Sequence, residues 1–134
     1  MSDADAEPAA AGTAEGTRGS AAVKGHLDML LLAILADGAR HGYGVIEQLR
    51  DRSGAAFDLP EGTVYPALHR LERNGLLSSD WDRSGGRPRR VYRLTPPGQA
   101  RLREQHAAWT ELSSAITTIL EGTPWPSTTR AITA

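Results

Sequence analysis

Leucine and isoleucine at positions 27, 30, 31, 34 and 35 recur at helical spacing, and Leu32 adds apolar surface off that stripe. A helix so apolar on more than one side belongs at the centre of a domain. It also gives Leu27 and Leu31 a place at a seam with a second chain. Asp37-Gly38 ends it. A second helix is expected from near His41-Gly42 to about Arg52, with Tyr43, Ile46 and Leu49 inward and Glu47, Arg50 and Asp51 outward. On a third helix Val64, Leu68 and Leu71 sit at i, i+4, i+7 and face the core. Opposite them fall Gly62, Pro66, His69 and Arg73, with Thr63, Tyr65 and Arg70 on the flanks. Pro66 requires the helix to start close by, since proline is tolerated in a first turn. Asn74-Gly75 makes a C-terminal cap.

Residues 76–82 then read as a strand, 83–88 as a turn and 89–95 as the partner strand. Thr95 and Pro96 supply an N-cap and a first helical position for a fourth helix, which runs to about Glu121 before Gly122 and Pro124. Its apolar positions Leu102, Trp109, Leu112, Ile116 and Ile119 follow an a/d heptad with a gap at Gln105. A seam of this kind is expected to close a dimer, together with Leu27 and Leu31 of the first helix. The implied fold is mainly α with a small β-hairpin: a winged helix-turn-helix over 24–95 and a dimerisation helix over 96–122. Residues 1–23, without apolar periodicity, are expected to be a disordered acidic arm, and 123–134 a flexible tail. Trp125, between two prolines, has no role in this scheme.

Charge sharpens the picture. The net charge of -1 over 134 residues hides a strong asymmetry. Residues 1–23 carry Asp3, Asp5, Glu7 and Glu15 against Arg18, whereas 83–103 carry seven arginines and no acid. Screening confines such fields to about 8–10 Å, so a locally basic surface can attract phosphate on a neutral protein. The absence of cysteine excludes disulfides and thiolate chemistry. No apolar run approaches the ~18 residues of a membrane span, and the acidic N-terminus does not read as a signal peptide. A soluble cytoplasmic protein is expected. His26, His41, His69 and His106 show no metal-ligand spacing, and neither a GxSxG elbow nor a phosphate loop is present. No metal, cofactor or catalytic residue is assigned, and the chain is not read as an enzyme.

A short helix with one face free, followed by Gly85-Gly86-Arg87-Pro88-Arg89-Arg90, has the elements needed to read a DNA groove while gripping its backbone. His69 and Arg73 suit base edges, arginine favouring guanine O6/N7. Thr63 and Tyr65 suit phosphates, and Gly62 and Pro66 allow close approach of the helix to a ligand backbone. Arg70 either joins this surface or pairs with Glu61 or Asn74 in its own helix. Tyr43 is either a core residue or a phosphate contact. Arg87, Arg89 and Arg90 fit phosphate or minor-groove binding, against the alternative of a solvated turn. Trp109 is either seam packing or a stacking platform. Two other functions share the fold: a winged helix that binds protein, and a dimer that binds a small molecule without a promoter role.

In order and spacing these residues resemble the PadR family of bacterial transcriptional regulators. The resemblance rests on Gly25-His26-Leu27 and the leucine-rich helix, His41-Gly42-Tyr43, Gly62-Thr63-Val64-Tyr65-Pro66-Ala67-Leu68, Arg70-Leu71-Glu72, Gly75-Leu76-Leu77, Gly86-Arg87-Pro88-Arg89-Arg90 and Tyr92-Arg93-Leu94-Thr95 before Gly98. It covers roughly residues 25–121. Arg89 stands where another basic residue is frequent, and Ala39-Arg40 where Gly or Pro often precedes the histidine. The single helix after the wing is similar to the short subfamily, which dimerises through it and includes multidrug-sensing repressors. The resemblance implies a homodimer on an inverted-repeat operator of double-stranded DNA, repressing its own and neighbouring genes. It also implies a flat aromatic or drug-like effector at the dimer centre, where Trp109, eleven residues past Gly98, and Leu112 would meet it.

Overall fold

The computed structural model describes residues 23–126. The elements run α1 (Leu27–Ala36), β1 (Arg40–His41), α2 (Gly42–Arg52), α3 (Glu61–Arg73), β2 (Leu77–Asp82), β3 (Arg89–Leu94) and α4 (Pro96–Glu121). The arm expected over 1–23 lies, apart from Val23, outside the described residues, as does the tail beyond 126. Val23 itself is buried and joins the core, one residue before the expected start of order.

Helix α1 is apolar on several sides because α2, α3 and β3 all pack on it. Leu31, Leu32, Ile34 and Leu35 are all buried. Leu31 is 0% exposed, which corrects its expected place at a dimer seam. A side chain with no surface of its own has none left to bury against a partner. Leu27 and Leu102, partly buried, pack on the same core.

On α2 the buried set is Gly42, Val45, Ile46 and Leu49, at i, i+3, i+4, i+7. Tyr43 lies one position off this stripe and is 52% exposed, so its reading as a core residue is corrected. Gly42 is there because a Cβ would lie 2.1 Å from Cε1 of Tyr65. The absence of a side chain at Gly42 thus makes room for that ring against α2.

The sheet is antiparallel with order β1-β3-β2. The hairpin is in the expected register region, Leu77 opposite Leu94 and Asp82 opposite Arg89. The third strand, β1, was not foreseen. Two residues, Arg40 opposite Tyr92 and His41 opposite Val91, are too few to show a period of two.

Helix α3 ends as expected, in a Schellman turn. Gly75 adopts φ 77, its N–H donates to the Glu72 carbonyl at 3.0 Å, and that of Leu76 to the Leu71 carbonyl at 3.0 Å. Pro66, however, lies one turn deeper than a first-turn proline, because the helix starts at Glu61. The amide it lacks would have served the Gly62 carbonyl four residues back, on the exposed side of the helix.

Thr95 caps α4 as its sequence implied. Its hydroxyl accepts from the Gly98 N–H at 3.0 Å and donates to the Gly75 carbonyl at 2.7 Å, so one side chain joins two helix ends. The first compact unit extends through Arg103, taking in the opening turns of α4, and the second begins at Glu104. At the far end of α4 the indole of Trp125 donates to the Leu120 carbonyl at 3.0 Å, and the Thr123 hydroxyl to that of Ile119 at 2.8 Å. Trp125 thus satisfies one of the carbonyls that a helix terminus leaves open.

Candidate nucleic-acid interface

Burying Val64, Ala67, Leu68 and Leu71 turns the other side of α3 outward. Gly62, Pro66, His69 and Arg73 are all exposed there. No atom lies within 4 Å of where a Gly62 Cβ would sit, so a ligand backbone can approach. The His69 ring leans on buried Tyr92, with centroids 6.5 Å apart and planes at 39°, which orients the imidazole. Tyr65 is half-buried, and burial, followed by the Glu61 charge and Tyr43, pushes its phenol pKa up. Its hydroxyl therefore stays protonated at neutral pH and can donate to a phosphate. Tyr43, half exposed, lines the same open groove between α3 and the wing, with Trp81 and Arg89 on its other wall.

The wing is β2, β3 and the turn between them. Gly86, at φ 88, makes the tight turn possible. At its base the Asp82 carboxylate accepts from the Ser84 N–H at 3.0 Å and the Ser84 hydroxyl at 2.7 Å, and lies 3.0 Å from His41 Nε2. These hydrogen bonds, chiefly those from Ser84, hold the Asp82 carboxyl down to about 2. Because this lies below the ordinary value, the contacts stabilise the fold above about pH 4, and the contribution is lost as pH falls towards 2. Asp82→Asn is accordingly expected to melt below the parent protein at pH 7, with the gap closing as pH approaches 2. A gap in melting temperature that stays constant from pH 7 to 2 would show that the ionised carboxylate does not organise the turn.

The arginines of the wing and of the α3 flank that were assigned to DNA fare differently. Arg87 and Arg89, with Arg83, are exposed and make no ion pair among the described residues. Arg90 is engaged, with one guanidinium nitrogen 3.9 Å from a Glu72 oxygen and its carbon 4.9 Å from the centre of the Trp81 ring. Arg70 pairs with neither Glu61 nor Asn74. Its guanidinium meets Asp28 of α1, a residue 42 positions away in sequence. Thr63, half-buried, lines a second groove with Lys24, Asp28 and Arg70. Glu72, Trp81, His41 and Asp82 carry no site role in the sequence reading. Trp81 alone left a signal there, a large aromatic on the outward side of an alternating strand, now seen opposite Arg90.

In the second unit Trp109, Leu112, Ile116 and Ile119 are exposed by 41%, 49%, 44% and 70%, and Leu120 joins them at 43%. Exposed apolar side chains at this density are far more than a solvated helix face ordinarily presents. Among the described residues no group of three potential metal ligands occurs, and no helix is long and apolar enough to cross a membrane.

Comparison with known proteins gives this arrangement its context. Residues 31–104 match the model of the transcriptional regulator PadR-like family. A transcriptional regulator of Mycobacterium tuberculosis is 43% identical over 81 residues, spanning 60% of this chain and 73% of that protein. Among solved structures, a PadR family transcriptional regulator from Eggerthella lenta is 36% identical with a TM-score of 0.69, covering 78% of this chain and 89% of its own. A transcriptional regulator from Clostridium thermocellum is 26% identical with a TM-score of 0.68, over 73% of this chain and 96% of its own. A family model that spans more than half the chain, and solved PadR family structures of the same fold, make it a member of the PadR-like family of transcriptional regulators.

Proposed function

We propose that the protein is a dimeric repressor that reads an inverted-repeat operator, with α3 in the major groove and the wing on the flanking backbone. Regulators of this family bind DNA and typically act as dimers, and they are not enzymes. The observation that carries the proposal is the pairing of an outward α3 face, Gly62, Pro66, His69 and Arg73, with the unpaired wing cations Arg83, Arg87 and Arg89. In the dimer two recognition helices stand about 34–36 Å apart, one turn of DNA. Occupation of a promoter excludes polymerase. A flat effector stacking on Trp109 and packing on Leu112 at the seam changes the disposition of the heads. It releases DNA to the extent that it binds the two states with different affinity.

Anisotropy on DNA from upstream of the protein's own gene, beside a scrambled duplex at about 0.15 M salt, tests this reading. A preference of about a thousandfold supports specific recognition. Equal binding removes autoregulation, and a random-sequence selection then decides whether any operator is read.

Two substitutions separate reading from gripping. Arg73 lies eleven residues beyond Gly62, about 16 Å along the axis, whereas the major groove is about 12 Å wide. Arg73 therefore reaches bases only if α3 lies along the groove. Arg73→Ala is expected to relax base preference by about 1–3 kcal/mol at one position. Arg89→Ala is expected to weaken all sequences alike and to reduce the salt slope by about one. Uniform weakening from both would reassign Arg73 to the phosphates.

A further inference from the structure

Beside the unpaired arginines of the wing stands an acid that DNA should repel. Glu72, on the flank of α3, has a side chain 28% exposed. Its Oε2 accepts from the Ser79 hydroxyl of β2 at 2.7 Å and lies 3.9 Å from an Arg90 nitrogen of β3. Arg90 in turn lies over Trp81, its partner across the β2–β3 ladder. One carboxylate thus joins the recognition helix to both strands of the wing.

Resting on the operator-reading function proposed above, we infer that Glu72 is a positioning residue of DNA recognition: through Ser79 and Arg90 it sets the angle of the wing on α3. Arg90 is then a strut rather than a phosphate clamp, and the gripping charges are Arg83, Arg87 and Arg89. The ion pair need not be strong to do this, and as a half-exposed pair it adds little stability. Its value is geometric. The turn at Gly85-Gly86 lies four to five residues beyond Trp81 and Arg90, at most about 15 Å if fully extended. A tilt of about 10° there moves the tip by up to about 2.6 Å, enough to break a phosphate hydrogen bond.

The sign of the effect separates this role from that of a solvated charge. A free acid near DNA opposes binding, so neutralising it should tighten every complex. A strut does the reverse for the operator. Glu72→Gln is expected to weaken operator binding about tenfold, leave scrambled duplex unchanged or slightly tighter, and keep the salt slope. Arg90→Lys, which retains the charge but loses the planar fork and stacking, is expected to match it. The double variant should be no worse than either single change. Tighter binding of both duplexes by Glu72→Gln, or full operator affinity in Arg90→Lys, overturns the inference.

Hydrogen exchange of the 77–94 hairpin in the DNA-free protein supplies a second reading. It should quicken in Glu72→Gln, and unchanged exchange also overturns the strut. If the unsubstituted protein fails to discriminate any operator, the repressor reading falls, while the exchange result still decides whether Glu72 holds the wing.

Discussion

Aspartate at both Leu112 and Ile116 is expected to leave the protein monomeric and to reduce operator affinity by about a thousandfold. Both side chains are exposed in the isolated chain, by 49% and 44%, so the substitution removes no core contact and should spare the folding of the unit that ends at Arg103. They occupy adjacent heptad positions, with Trp109 before them and Ile119 after. Two carboxylates facing their symmetry copies across an apolar seam would each be buried without a partner, which an association of this size cannot offset. The loss of DNA affinity follows separately. Joining two heads makes the second half-site encounter intramolecular, and that gain is about 10²–10⁴ in affinity. Sedimentation gives the oligomeric state and anisotropy on the operator gives the affinity. A dimer that persists places the seam elsewhere. A monomer that keeps full affinity removes the inverted repeat from the proposal.

Gly98→Ala is expected to destabilise the winged-helix unit by about 3 kcal/mol, at the upper end of overpacking costs. A Cβ there would lie 2.0 Å from the Leu76 carbonyl oxygen and 2.8 Å from Leu94 Cδ1. The oxygen cannot step aside cheaply, because it accepts from the Thr95 N–H at 3.2 Å at the base of the hairpin. Relief must come from lifting the first turn of α4, which breaks the Thr95 cap. At Gly42 the obstruction is the Tyr65 ring, which has rotamers to use, so the two glycines differ in what would have to move. Denaturant unfolding followed by far-UV circular dichroism measures the cost. A midpoint within error of the parent would mean that α4 does not enter as close to β2 as described.

Much of this architecture was readable before any coordinates. Four helices and a hairpin are each long enough to display a period, and Thr95-Pro96 and Asn74-Gly75 announce their ends through local hydrogen bonds. The outward face of α3 followed from one angle per residue, and the exposed turn that carries Arg87, with Arg89 at its edge, from Gly85-Gly86-Arg87-Pro88. The Trp81–Arg90 stack needed only the strand register in addition. Two side chains sit otherwise than their spacing implies. Leu31 looked available to a partner because its stripe is apolar, yet three neighbouring elements cover it. Tyr43 looked inward because it precedes Ile46 at helical spacing, yet the buried stripe runs through Gly42, Val45, Ile46 and Leu49.

The sequence by itself determined the four helices, the hairpin, their caps and the buried side of α3, because those show in local spacing and contacts within a few residues. Only the tertiary structure decided which charges remain free for DNA. Asp28 claims Arg70 from 42 positions away, Glu72 engages Arg90 across two strands, and His41 meets Asp82 where β2 enters the turn of the wing. Such pairings join residues 18 to 42 positions apart, and it is the packing of α1, α3 and the sheet that brings them within reach.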